Sequence, residues 1–123
     1  MNKIMFRPKN DKSYCLDVPG GTCSSNTQLI TYKCHGGPNQ QFRYNRRTKR
    51  IKSVVSGKCL SSSSRKIVQK KCSKSKKQKW VLDKRGRYRN VGTRKCMDVE
   101  GGKYKNGKMI VYKCHNGPNQ KFV

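Results

Sequence analysis

Acid is what this sequence has least of. Five Asp and Glu stand against 31 Lys and Arg in 123 residues, a formal net charge of +26. So few carboxylates leave little material for acid–base chemistry. No Ser/His/acid set and no glycine-rich phosphate loop can be assembled, and the chain reads as non-catalytic, with no cofactor. Long apolar runs are missing as well, so no membrane-spanning helix is expected. The opening Met1-Asn2-Lys3-Ile4-Met5-Phe6-Arg7-Pro8 lacks the apolar stretch of a secretion signal. Such a chain is either made in the cytosol or numbered from a processed end. No window shows sustained apolar spacing at three and four residues, which removes helices from the expectation. No pair of cysteines is spaced C-x2-4-C, which argues against zinc and any other bound metal. Motifs that read nucleic-acid bases are absent too.

Low apolar content (32%) with high net charge is ordinarily a mark of disorder. What is present argues otherwise. Cys34-His35-Gly36-Gly37-Pro38-Asn39-Gln40-Gln41-Phe42 returns as Cys114-His115-Asn116-Gly117-Pro118-Asn119-Gln120-Lys121-Phe122, identical at seven of nine positions. Upstream, Tyr32-Lys33-Cys34 is answered by Tyr112-Lys113-Cys114, and Cys15-Leu16-Asp17-Val18 by Cys96-Met97-Asp98-Val99. A Gly pair follows each of the latter, Gly20-Gly21 and Gly101-Gly102. The chain is an internal repeat.

Between the repeated motifs lie short apolar or β-branched runs bounded by Gly, Ser, Asn or Lys, which read as strands. They are Ile4–Phe6, Tyr14–Val18, Leu29–Tyr32 and Phe42–Tyr44; Ile51–Val55, Lys58–Leu60, Ile67–Gln69 and Trp80–Leu82; and Tyr88–Val91, Cys96–Val99, Met109–Tyr112 and Phe122–Val123. Phe42, Trp80 and Phe122 close units 38 and 42 residues apart. Four strands in each of three units, about 1–44, 45–83 and 84–123, predict one closed all-β domain with pseudo-threefold symmetry, which also removes exposed sheet edges. Cysteines pair naturally within units: Cys15 with Cys34, Cys59 with Cys72, and Cys96 with Cys114, leaving Cys23. Three such disulfides would each contribute on the order of 3 kcal/mol in the chain-entropy model. Reduced cysteines packing as small apolar residues are the alternative.

C-x-D-V, a Gly turn, an aromatic two residues before a second Cys, then N-Q-x-F or Q-x-W together resemble the ricin-B-type β-trefoil lectins. The resemblance covers nearly the whole chain. In the middle unit it rests on Cys59, Cys72 and Gln78-Lys79-Trp80. It implies a β-trefoil that binds glycans at one shallow site per competent repeat. A ring faces the C–H side of the sugar, a carboxylate accepts from hydroxyls and an amide fixes orientation. Carried over residue by residue, it implies Asp17, Tyr32 and Asn39 in the first repeat, with Gln40 supporting the Asp, and Asp98, Tyr112, Asn119 and Gln120 in the third. Ile30 and Ile110 stand where many relatives carry Gln. In the middle repeat Ser61 replaces the Asp and Lys70 the ring, so no site of the family type is expected there. A structural reading stays open for each residue: Asp capping a Gly turn, Tyr as a half-buried strand residue, and Asn39-Gln40 bonding its own loop. His35 and His115 read as turn-stabilising residues.

Charge forms the second constellation. Of the 31 cations, 21 fall between Arg43 and Lys95, where Asp83 is the single acid. Solubility needs a net charge of only about 2 to 8. The excess points to a polyanionic partner, whether nucleic acid, sulfated glycan, anionic membrane or acidic protein surface, held by Arg46, Arg47, Lys49, Arg50, Lys70, Lys71, Lys74, Lys76, Lys77 and Lys79, any nucleic acid without sequence preference. Size and charge also resemble small trefoil proteins of large DNA viruses. That likeness implies a structural virion component, with other virion proteins as partners, and a location outside the cell or in a particle if disulfides form.

Overall fold

The computed structural model describes residues 2–123. Eleven strands form: β1 (Tyr14–Asp17), β2 (Thr27–Gln28), β3 (Ile30–Lys33), β4 (Phe42–Asn45), β5 (Arg50–Ser53), β6 (Cys59–Ser63), β7 (Lys66–Lys70), β8 (Trp80–Leu82), β9 (Tyr88–Asn90), β10 (Cys96–Val99) and β11 (Met109–Tyr112). The only helical segments among the described residues are single 3-10 turns, and no helix is long and apolar enough to cross a membrane. β1 pairs with β3. The other strands form one curled antiparallel sheet in the order β4-β5-β6-β7-β11-β10-β9-β8, with β2 added to β7.

Two expected strands shrink to single bridges, Ile4 with Phe42 and Pro8 with Phe122. The first segment changes partner at nearly every residue. Ile4 bonds Phe42, Phe6 accepts from Leu16, and Arg7 exchanges bonds with Val123. No ladder with one partner can therefore grow. β2 was not expected, because Thr27 and Gln28 carry no apolar alternation. Their pairing with Gln69 and Val68 is imposed by docking on β7.

The core follows the pseudo-threefold. Leu16, Leu60 and Met97 are fully buried on β1, β6 and β10, and Phe42, Trp80 and Phe122 close the three units beneath them. Each such side chain contributes roughly 1.5–3 kcal/mol by leaving water. The Trp80 indole N–H donates to the Leu60 carbonyl at 3.0 Å, so its polar end is satisfied inside the core. Phe6 meets Phe42 and Tyr88 edge to face, with centroids 5.7 and 5.0 Å apart.

Each unit hands one hairpin to the next. The Thr27–Leu29 segment lies on β7, with Leu29 N donating to Ile67 O. The β6–β7 hairpin reaches β11, where Val111 N donates to Arg65 O. The loop before β11 returns to the first unit, where Thr31 N donates to Gly107 O. Leu29, Ile67 and Met109 are buried together where these exchanges meet. This cyclic arrangement is a β-trefoil. Disulfides join Cys15 to Cys34, Cys59 to Cys72 and Cys96 to Cys114, while Cys23 is free and exposed. Three disulfides suggest an oxidising, extracellular environment.

Candidate functional site

Alternation along β1 decides what faces the first pocket. Leu16 enters the core, so Cys15 and Asp17 share the opposite face. The disulfide from Cys15 pins the segment after β3 over that face, and the 3-10 turn Pro38–Gln40 folds beneath it. Val18 N donates to Asn39 O at 2.9 Å and locks the turn to the end of β1. The result is an open pocket of about 360 Å³ lined by Asp17, Pro19, Gly20, Ile30, Tyr32, His35 and Asn39.

Asp17 is 3% exposed, at the pocket floor. Its Oδ2 accepts from Gln40 Nε2 at 2.8 Å and from Asn39 Nδ2 at 3.2 Å, with His35 Nε2 at 3.8 Å. It does not cap the following Gly turn, which has no side-chain cap. Gln40 is fully buried with its amide committed at both ends. Nε2 also donates to Lys33 O, and Oε1 accepts from His35 N. Its amide thus holds the Asp17 carboxylate against the turn. Tyr32, 46% exposed, presents its ring as a wall above the carboxylate.

The third repeat rebuilds this set. Asp98, 3% exposed, accepts from Gln120 Nε2 at 2.8 Å and Asn119 Nδ2 at 3.1 Å, with His115 Nε2 at 3.6 Å. Tyr112 is 49% exposed. The pocket, about 320 Å³, gains a wall absent from the first. Arg65 and Glu100 pair at 3.7 Å across its rim, where the first repeat has Pro19 in place of Glu100. Burial pushes both Asp carboxyls above the usual value. Hydrogen bonds from Gln40 or Gln120, and then the nearby His, oppose that rise.

The sequence reading missed the second role of the histidines. His35 Nδ1 accepts from Gly37 N at 3.0 Å and His115 Nδ1 from Gly117 N at 2.9 Å, which stabilises the turn. The other ring nitrogen faces the Asp, and the ring stands edge-on to the Tyr with centroids 6.3 and 6.2 Å apart. Each histidine is thus a pocket wall. The sequence signals only the turn role, through His-x-Gly in both copies: a Cβ at Gly37 or Gly117 would stand 2.8 or 2.7 Å from the His Cε1.

The middle repeat keeps the disulfide and the buried glutamine, replaces the Gly turn by the tight β6–β7 hairpin, and changes the pocket's chemistry. Gln78 is buried like Gln40, accepting from Ser73 N at 2.8 Å and donating to Lys71 O at 3.0 Å. A pocket of about 420 Å³ remains, lined by Ser61 to Ser64, Lys70, Ser73, Ser75, Lys77 and Gln78. Beyond Ser73 a second hollow of about 370 Å³ is bordered by Arg47, Lys49, Arg50, Lys74, Lys76 and Lys79. Of the cations singled out in the sequence, Arg46 and Lys71 line neither space, and both are exposed.

The family model for the ricin-type beta-trefoil lectin domain matches residues 4–122. The chain belongs to this family. Solved structures agree on the fold. The earthworm R-type lectin C-half, solved in complex with GalNAc, has a TM-score of 0.86 at 21% identity, over 100% of this chain and 97% of its own. The designed threefold-symmetric protein ThreeFoil has a TM-score of 0.85 at 25% identity, over 98% and 97%. The hemolytic lectin CEL-III has a TM-score of 0.86 at 23% identity over 99% of this ricin-type chain, which spans only 29% of that protein. No curated protein matches the sequence. The likeness to small viral trefoils gains no support from these matches.

Proposed function

We propose that this ricin-type domain is a non-catalytic carbohydrate-binding module with glycan sites in the first and third repeats. One observation carries the reading: two separate pockets hold the same five side chains in the same relation. In each, a buried Asp is held by Asn and Gln and faced by His, beneath an exposed Tyr. A capping or packing role for each residue would not place a half-exposed ring and a buried carboxylate at one opening twice. The carboxylate accepts from adjacent sugar hydroxyls, the Tyr ring covers the sugar's C–H face, and Asn39 or Asn119 orients it. Gln40 and Gln120 hold the acid in place.

The earthworm lectin half bound to GalNAc makes GalNAc the first probe. Single shallow pockets of this kind bind at about mM, near −4 kcal/mol, so useful affinity comes from occupying both at once. Titration with GalNAc and galactose, followed by NMR shifts of Tyr32 and Tyr112, should show two sites. Asp17→Ala with Asp98→Ala should remove both. Unchanged binding in that double variant, or no response across a broad glycan array, would refute the reading.

A further inference from the structure

The middle repeat has lost every member of the sugar-binding set except the buried glutamine, yet the pocket has not filled in. Counting from the paired cysteines and the shared Gln, Ser61 stands where the outer repeats have Asp17 and Asp98, and Lys70 where they have Tyr32 and Tyr112. Ser73 replaces the His, and Lys77 replaces Asn39 and Asn119. Even the glycine beside the His has become Ser75, which is tolerated because no ring packs against it. A pocket centred on a buried carboxylate has become one of hydroxyls and two ammonium groups. No acid lines it or the adjoining hollow.

We infer that this converted pocket binds a sulfated saccharide, with a sulfate between Lys70 and Lys77 and the sugar hydroxyls toward Ser61 to Ser64. Three observations favour this. The opening, about 420 Å³, is as large as the two outer pockets, so it admits a sugar-sized group. Its donors suit an acceptor-only anion. Ser73 Oγ and Ser75 Oγ each accept from a backbone N–H two residues on, leaving their hydroxyl hydrogens to donate outward, beside lysines that can only donate. The pocket also shares Ser73 with the hollow bordered by Arg47, Arg50, Lys74 and Lys79, so a chain bearing several sulfates and crossing at Ser73 would meet cations on both sides. A nucleic acid fits less well, because neither space is lined by an aromatic ring on which a base could stack.

The inference stands apart from the outer pockets, and its test keeps them apart. Binding of a heparin hexasaccharide, its fully desulfated counterpart and a single-stranded DNA oligomer of equal charge would be measured at fixed moderate salt. The proteins would be the native chain, Lys70→Gln with Lys77→Gln, and a control of equal charge loss outside both spaces, Lys84→Gln with Lys105→Gln. Melting temperature and GalNAc titration of each variant report folding and the outer pockets. The proposal expects desulfation to abolish binding. It also expects the pocket variant to lose at least tenfold in heparin affinity and the control less than threefold, with GalNAc titration unchanged in both. Equal losses in pocket variant and control would mean a diffuse charge field and overturn it. Equal or tighter DNA binding, lost in the same pocket variant, would also overturn it and assign the pocket to phosphate backbones. An intermediate variant, Lys77→Asn, which restores the outer-repeat residue, should give a smaller loss than the double. No loss at all would count against the pocket.

Discussion

The outer and middle repeats share a disulfide, a buried glutamine and a closing aromatic. The middle one, however, turns from β6 to β7 in a tight hairpin without the Gly turn of the other two, and its pocket chemistry is opposite. In the outer pockets a buried Asp sits beneath a Tyr ring, while in the middle pocket Ser61 and Lys70 take those places. The buried glutamine is common to all three and does the same structural work in each. Gln40, Gln78 and Gln120 all bridge the segment after the second cysteine to the turn below. What differs is the side chains around that glutamine and the Gly turn, which the hairpin through Ser61 to Ser64 replaces in the middle repeat. The comparison teaches that the trefoil core tolerates pockets of opposite lining, one around a buried carboxylate and one of hydroxyls and ammonium groups.

The most demanding test of that comparison converts one pocket into the other. Ser61→Asp, Lys70→Tyr, Ser73→His and Lys77→Asn, with Ser75→Gly to seat the new ring, should raise the calorimetric stoichiometry for GalNAc from two to three. Heparin binding should fall at least tenfold in the same protein. A stoichiometry that stays at two would mean that the frame is not equivalent.

Removing single disulfides should come next. Loss of the bridge in any repeat, as Cys96→Ala with Cys114→Ala or Cys59→Ala with Cys72→Ala, should cost about 3 kcal/mol. For a chain of this size that is a fall of roughly 10 °C in melting temperature. Only the first of these variants should weaken GalNAc binding, because Cys114 carries the segment that sets His115 against Asp98. A similar loss of sugar binding from the middle variant would show that the repeats are not independent in function.

Acid should separate the pockets as well. Asp17 and Asp98 have folded pKa values above their unfolded ones, because burial disfavours the charge. The native state therefore binds more protons between the two values, and their contribution to stability is lost as pH rises through that window. GalNAc affinity should run the other way. It falls on acidification through the raised pKa, where the carboxylate becomes a neutral acid, and heparin binding in the middle pocket should hold. Asp17→Asn with Asp98→Asn should abolish the sugar's pH dependence with the sugar binding itself. It should leave the melting temperature at neutral pH equal or higher. A lower melting temperature would contradict the burial argument.

The smallest expected effect is at glycine. Gly37→Ala and Gly117→Ala add a carbon that meets the His ring and should weaken GalNAc binding about threefold to tenfold, read by titration. The reverse change at the matching place in the middle repeat, Ser75→Gly, should leave GalNAc binding unaltered.

Much of the fold was legible because its signals are local. The paired cysteines and the closing aromatics at Phe42, Trp80 and Phe122 recur in the same order in every unit, the Cys-x-Asp-Val strands in the outer two, and each ends in the core or in a disulfide. Thr27–Gln28 was hidden because its strand character comes from β7 and not from its own side chains. For His35 and His115 the sequence carries the turn-stabilising role. The pocket role arises only when the chain brings Asp17 or Asp98 to the ring from 18 or 17 residues away. Arg65 and Glu100 could not have been paired from sequence, since they meet only through the hairpin that one repeat lays on the next.

That hairpin exchange makes the domain a ring of obligations. The first unit covers the second, the second covers the third, and the third returns to the first through Gly107 and Thr31. No unit owns a complete core, so none should persist when another opens, and unfolding should proceed as one transition. Folding must wait for contacts between distant parts of the chain, as between Gln28 and Met109, which favours slow assembly over milliseconds to seconds. The cationic middle unit is thereby held folded against its own repulsion by the two less charged neighbours on either side.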